Sequence, residues 1–361
     1  MSTIEQMVQT RAYALGYEKC GIIPIREMDD YADQFEERIR RVPQAKGFYE
    51  RMRRLTNIRQ EFPWAKSIVV TVANYGKYKI PEHLKDRIGR MYLFDPRIDS
   101  GSEEFHNSLS MEKYLQELGL RTASNRHYGL VGLRLAAMKA GLGTIRNNNF
   151  FYTESGSWVS LEGWATDQDL ELIETTSLPA CPTGCNRCVA ACTSGSLSAP
   201  HTMSPNSCVS FLTTFGGRDL PNEPHCRSFG NWIYGCDACQ SVCQMNKDKW
   251  QETAEFPGVS DLAPYLTPES ILEMEHAFYR KNVQPKFFYL KEYELWKWKV
   301  NVLCFMRNNY RSSYRPSIAA ACENENEKVR DMALVICREL YDGEYSTPQE
   351  SNEMVASGPD D

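Results

Sequence analysis

Cys181-Pro-Thr-Gly-Cys-Asn-Arg-Cys-Val-Ala-Ala-Cys192 and, further on, Cys236-Asp-Ala-Cys-Gln-Ser-Val-Cys243 are the stretches that decide how this chain of 361 residues is read. The first run spaces its thiols by three, two and three residues and the second by two and three, with Cys208 standing 28 positions before Cys236. Short gaps let one tight loop aim several thiolates at a single cluster, so the pattern points to 4Fe-4S centres. Zinc held by four cysteines also uses Cys-x2-Cys pairs, but it keeps the two pairs roughly a dozen or more residues apart. Here three cysteines fall inside eight positions.

In two-cluster ferredoxins the last cysteine of each run crosses to the other cluster. By that rule Cys181, Cys185, Cys188 and Cys243 hold one cluster, and Cys208, Cys236, Cys239 and Cys192 hold the other. Two features depart from the ferredoxin pattern: the first gap is three residues, and neither Cys192 nor Cys243 is followed by proline. Cys226 fits neither run, and whether Cys181 or Cys226 completes a cluster stays open at this point. Of the thirteen cysteines, Cys20, Cys304, Cys322 and Cys337 are scattered among apolar neighbours and read as small buried hydrophobes.

Outside the runs, 42% hydrophobic content supports real cores and excludes a disordered chain. The balance of 41 Lys+Arg against 47 Asp+Glu excludes a globally basic nucleic-acid coat. The start, MSTIEQMVQTRAYALGYEKC, has no export-signal pattern. The longest apolar run, Ser67-Ile-Val-Val-Thr-Val-Ala73, is far short of the roughly 18 residues of a membrane helix. The expectation is a cytoplasmic protein without a membrane partner, whose thiols stay reduced and free to ligate metal.

Along the chain, residues 4–18 have helical spacing and 19–25 form a short apolar strand. Residues 29–60 read as charged helices, and Trp64 to Tyr75 is a β-branched central strand. Helices follow over 101–120 and over 130–142, the second ending at Gly141 and Gly143, and 156–166 alternates as a strand. The pattern gives a mixed α and β layer architecture over 1–175 and a cluster-bearing segment over 176–248. A helical segment follows over 249–344, with two antiparallel helices, 290–309 and 317–340, that resemble a HEAT-like hairpin, and then a disordered tail over 345–361.

With these motifs in place, the sequence resembles the epoxyqueuosine reductases, cobalamin-dependent iron–sulfur enzymes of tRNA maturation, and more distantly the reductive dehalogenases. The residues that carry the resemblance are Gly16-Tyr-Glu-Lys-Cys-Gly-Ile22, Trp64-Ala-Lys-Ser-Ile-Val-Val70, Ala140-Gly-Leu-Gly143, Gly156-Ser-Trp158, Thr166-Asp167, Cys208-Val-Ser-Phe-Leu-Thr213 and Tyr234-Gly-Cys-Asp-Ala-Cys-Gln240. The resemblance implies a nitroreductase-like domain that holds base-off cobalamin, a ferredoxin-like double 4Fe-4S domain and a HEAT-like end. It also implies Gly141, Gly143, Arg146, Asn148 and Ser157 as residues around the corrin, and a low-potential ferredoxin or flavodoxin as electron donor.

Three departures fall around the expected pocket. The family's proton-donating Asp is replaced in an ungapped match by His127, with Tyr128 beside it, and either can act as a general acid. Gly143-Thr-Ile-Arg-Asn-Asn-Asn149 stands where the family has Gly-Trp-Ile-Gly-Lys-Asn-Thr, and the family's Asp-Tyr-His segment is not recognisable around Phe94 to His106. The expectation is therefore a reductase using cob(I)alamin for reductive cleavage or deoxygenation of a small molecule. The alternatives are an epoxyqueuosine reductase acting on tRNA and a non-catalytic two-cluster electron carrier. For RNA, residues 276–320 offer Arg280, Lys281, Lys286, Lys291, Lys297, Lys299, Arg307, Arg311 and Arg315 against Glu292 and Glu294, interleaved with aromatics.

Overall fold

The computed structural model describes residues 2–127, 129–215 and 223–341; Tyr128 and the tail from 345 lie outside them. Helix α1 (Ile4–Ala14) starts in a reciprocal cap, with Thr3 Oγ1 accepting from the Gln6 amide at 3.3 Å and Gln6 Oε1 accepting from the Thr3 amide at 3.1 Å. Strand β1 (Lys19–Pro24) follows, then α2 (Tyr31–Arg41), β2 (Ser67–Asn74), α3 (Glu103–Glu117), β3 (Thr122–Ser124), α4 (Leu133–Lys139) and β4 (Val159–Thr166). The four strands form one sheet in the order β1-β2-β4-β3, every neighbouring pair antiparallel.

Strand β2 reads as an unbroken apolar run because both of its faces are covered. Ile68, Val70 and Val72 pack with Leu135, Ala136 and Ala140 around α4, while Val69 and Ala73 pack with Val8 and Ala12 of α1 and Met111 and Leu115 of α3. Burying each such Val, Ile or Leu contributes roughly 1.5–3 kcal/mol, so this sandwich is the main support of the N-terminal half. Gly141 ends the α4 segment at φ 74°, and a Cβ there would lie 1.7 Å from the Glu174 carbonyl oxygen; only glycine permits that approach.

Residues 180–246 carry only short elements: helices α5 (Arg187–Ala190) and α6 (Ala238–Ser241), which pack together, the helical segments Val209–Thr213 and Glu223–Ser228, and a hairpin of Leu197–Ala199 with Thr202–Met203. The C-terminal end folds as α7 (Leu295–Asn308), α8 (Arg315–Ala321) and α9 (Glu327–Leu340). Where the sequence suggests one helix over 317–340, the chain breaks at Cys322 to Asn326, because Asn326 caps a new helix by accepting from the Lys328 amide at 3.1 Å.

Packing crosses the sequence boundaries at 175 and 248. Tyr75, Tyr78, Leu84, Ile88, Leu93 and Phe94 share one core with Phe229, Tyr234, Phe256 and the helices up to Tyr341. Tyr78–Lys79 pairs in parallel with Ala254–Glu255, and Tyr78 stacks on Phe256 with centroids 4.7 Å apart. Among the described residues no helix is long and apolar enough to cross a membrane.

Candidate functional site: two thiol runs beside a basic cleft

The Tyr234 to Gln240 motif shows how the sequence builds the thiol loops. Tyr234 stacks on Trp298 with centroids 4.8 Å apart and donates its hydroxyl to the Phe287 carbonyl at 3.0 Å. Gly235, at φ 73°, lies so close to Tyr92 that a Cβ would approach that ring to 2.3 Å, and its amide donates to Thr213 Oγ1 at 2.9 Å. The buried Asp237 accepts from the Arg90 amide at 2.7 Å, and the Arg90 guanidinium also covers the Trp158 ring at 4.5 Å. Cys236 and Cys239 are thus fixed from both sides, and burial pushes both thiols up from their usual range.

The thiols fall into groups by their mutual influence. Cys208 is raised by burial and by Cys192, and Cys239 by burial and then by Cys208, Asp237, Cys192 and Cys188, so Cys192, Cys208, Cys236 and Cys239 lie near one another with Cys188 adjoining them. Cys188 is raised by burial and by its neighbours Cys181 and Cys185. Among the described residues no three or more His, Cys, Asp or Glu side chains close on a single metal ion. A cubane asks for a wider set, one thiolate to each corner iron, and loops bearing several thiols suit it better than they suit one tetrahedral zinc. Thiols raised by burial become ligands when iron replaces their protons. Cys226 lies elsewhere: it is buried against Cys304, and its carbonyl accepts from Asn308 at 2.9 Å. Of the scattered cysteines Cys20, Cys304 and Cys337 are buried, and Cys322 lies 3.2 Å from Cys337 between their sulfurs.

A cleft of about 920 Å³ opens between α2, α4 and the 197–203 hairpin, at the upper end of the range for small-ligand sites. Its walls include apolar Leu55, Val131, Leu133, Ile145 and Leu161. Asn149, held at φ 64° and buried, also lines it, and its Oδ1 has no hydrogen-bond partner.

None of the five residues expected around the corrin, Gly141, Gly143, Arg146, Asn148 and Ser157, lines this cleft. Arg146 donates to the Pro179 carbonyl at 2.6 Å, lies 3.8 Å from Cys181 Sγ and covers the Tyr152 ring. Asn148 donates to the Tyr152 hydroxyl at 2.8 Å and to the Cys239 carbonyl at 3.1 Å, and Tyr152 is itself a hydrogen-bond neighbour of Cys243. Ser157 is bonded through its amide and hydroxyl to Asn246 and through its hydroxyl to Gln240. Gly143 allows the close approach of the Tyr152 carbonyl, to which a Cβ would come within 2.1 Å. These residues join the sheet layer to the thiol loops, and hydrogen bonds near cluster sulfurs are a means of tuning potential.

His127 ends a short helical turn, Asn125–His127, and Val131, four positions on, lines the cleft. Asn125 Oδ1 accepts from the Gly163 amide at 3.0 Å, and Arg126 pairs with Glu112 at 3.1 Å, so β4 and α3 hold this turn. The basic stretch over 276–320 is partly consumed by the fold. Lys286 pairs with Asp99, Lys297 with Glu294 and Arg307 with Glu339, while burial depresses Lys299. Arg280, Lys281, Lys291, Arg311 and Arg315 are exposed. Sequence reading missed Arg38, Arg134 and Asn149 as cleft residues, since two arginines on amphipathic helices carry no mark that separates them from a solvated face.

Residues 180–246 match the family described as a 4Fe-4S double cluster binding domain. Epoxyqueuosine reductase from Bacillus subtilis (strain 168) is 32% identical over 200 residues, spanning 52% of this chain and about half, 49%, of that protein. The one from Gloeobacter violaceus is 29% identical over 282 residues, spanning 73% of this chain and 82% of that protein. Among solved structures, epoxyqueuosine reductase from Streptococcus thermophilus superposes with a TM-score of 0.76 at 18% identity, covering 100% of this chain and 96% of that one. An epoxyqueuosine reductase solved with an epoxyqueuosine-modified tRNA stem loop superposes with a TM-score of 0.70 at 21% identity, over 92% and 89% of the two chains. In its thiol segment, in sequence along much of its length and in its fold, the chain is similar to the epoxyqueuosine reductases.

Proposed function

We propose that this chain is a cobalamin- and iron–sulfur-dependent oxidoreductase that removes the epoxide oxygen from an epoxyqueuosine-type nucleoside in tRNA. The observation that carries the reading is a ligand-sized cleft walled partly by the segment that bears both thiol runs. The relatives favour tRNA over the small-molecule substrate suggested by the changes at 127–149, since they are epoxyqueuosine reductases and one was solved on a modified stem loop.

The cleft suits a corrinoid in two respects: its apolar walls match a flat macrocycle, and the orphaned Asn149 Oδ1 matches an amide N–H such as the corrin rim carries. A cobalamin bound there would supply a strongly nucleophilic cobalt. Loss of an epoxide oxygen as water takes two electrons and two protons. The two thiol groups would hold the centres that pass the electrons from a ferredoxin or flavodoxin. The turn at Asn125–His127 is anchored through Asn125 and Arg126, and His127 or Tyr128 would supply the protons. The nitroreductase-like and HEAT-like descriptions of the two ends belong to this same reading, and the exposed Arg280, Lys281, Lys291, Arg311 and Arg315 would meet RNA phosphates.

Anaerobic purification with added cobalamin tests the reading. About eight irons and one cobalt per chain, with turnover of epoxyqueuosine tRNA, are expected. Full iron without cobalt, or full loading with no turnover of that tRNA, overturns it.

A further inference from the structure

One corner of the cleft collects positive charge with little to balance it. Arg38 and Arg41 reach it from α2, Arg134 from α4 and His201 from the hairpin turn, and the only acid among the described lining residues is Glu37. Glu37 is engaged by Arg41 at 2.9 Å and by Arg40 at 2.9 Å. Arg97, on the same lining, is tied to Asp95. Arg38 and Arg134 have no carboxylate partner among the described residues; Arg134 donates only to the Asn149 carbonyl.

The groups feel one another. Arg134 and His201 are exposed on the cleft wall and Arg38 is half-buried, so a ligand can reach all three; the surrounding protein, then the Arg38 charge, hold Arg134 below the ordinary arginine value. His201 is lowered by burial and then by Arg38 and Arg41. Its backbone, at φ 58° with the amide donating to the Asn147 carbonyl at 2.8 Å, is fixed in a conformation that turns the hairpin tip toward α2. Water solvates these cations while the cleft is open, and an anion placed between them relieves their mutual repulsion and accepts their hydrogen bonds.

We propose that Arg38, Arg134 and His201 form a phosphate site inside the cleft. The ligand is a phosphodiester, the chemistry shared by the nucleotide tail of a corrinoid and the backbone of an RNA. The proposal rests on the cleft being the ligand site of the proposed reductase, but its test reads binding alone, so it stands or falls separately from turnover.

The test is equilibrium binding to the iron-loaded full chain, with cobalamin, with cobinamide, which lacks the phosphate-bearing tail, and with a tRNA anticodon stem loop. Three proteins are compared: wild type, Arg38→Leu and His201→Asn, the last keeping a residue that tolerates positive φ while removing the charge. Losing a charged hydrogen bond to phosphate weakens binding by roughly tenfold. If the corrinoid tail occupies the corner, wild type prefers cobalamin over cobinamide by about that factor and both variants lose the preference. If RNA occupies it, the two corrinoids bind alike while the stem loop binds roughly tenfold more weakly to Arg38→Leu, with a shallower salt dependence. In either case binding of the phosphate-bearing ligand tightens as pH falls and His201 gains its proton, and His201→Asn removes that trend. Unchanged affinities for all three ligands in both variants, at full iron content, overturn the proposal.

Discussion

Replacing Glu162 by Gln should change how the stability of the sheet layer responds to pH. The carboxyl is 3% exposed, lies opposite Thr71 across the β2–β4 pair and accepts the Tyr17 hydroxyl at 2.9 Å. Burial pushes it up from 4.5 to about 7, against the opposing influence of Ser108, Tyr17 and Arg126, while Asp95 adds to the rise. In the unfolded chain the same group titrates at its ordinary value, so between the two values the folded protein holds the extra proton. Its contribution is complete below the lower value and is lost as pH rises through the upper one. Between about pH 5 and about pH 8 the loss comes to about 2.5 kcal/mol. Gln cannot ionise and still offers Tyr17 an acceptor. Urea unfolding followed through Trp164, two residues along the strand and buried, is expected to show the variant losing about 2.5 kcal/mol less than wild type across that interval. A gap between the two proteins that is the same at both pH values would refute the protonated buried carboxyl.

Four further outcomes follow from the packing. Gly141→Ala meets the Glu174 carbonyl from a backbone at φ 74° and is expected to cost about 2 kcal/mol or more, read as a lowered Tm. Asn246→Ala removes three buried bonds, to the Ser157 amide, the Ser157 hydroxyl and the Gln240 carbonyl, and should cost about 2–3 kcal/mol in the same assay. Cys243→Ala should lower the iron content from about eight to about four per chain, and undiminished iron would remove Cys243 from the ligand set. Cys226→Ser should keep its iron in full, because that thiol packs against Cys304 in the helical core; loss of half the iron would place it at a cluster after all.

The sequence carried the N-terminal layer well because its signals are local. The helical spacing over 4–18, the β-branched run from Trp64 to Tyr75 and the glycine after α4 each act within a few residues, and α1, β2 and α4 form inside those stretches, each shorter than its signal. The thiol spacing was equally legible, since a short loop constrains its own cysteines. The cleft was not. Its walls come from α2, α4, the residues around Ile145 and a hairpin beyond 196, and nothing in the spacing of Arg38, Arg134 and His201 foretells that they meet. Arg146 and Asn148 each stand one residue from a cleft-lining neighbour, Ile145 and Asn149, yet they turn toward the thiol loops, a distinction that side-chain direction decides and sequence alone does not. The break between α8 and α9 was missed because two asparagines and two glutamates read equally well as a solvated helix face.

The core that joins residues 75–94 to the last helices also sets the order in which the protein can be made. Tyr78 and Phe94 leave the ribosome long before Phe256 and the helices that cover them, so this part of the chain must wait, uncovered, until synthesis is nearly complete. A shortened product ending at 248 would carry both thiol runs and still leave Tyr78, Phe94, Phe229 and Tyr234 bare to water. The smallest stable piece bearing the thiol loops therefore extends to the final helix.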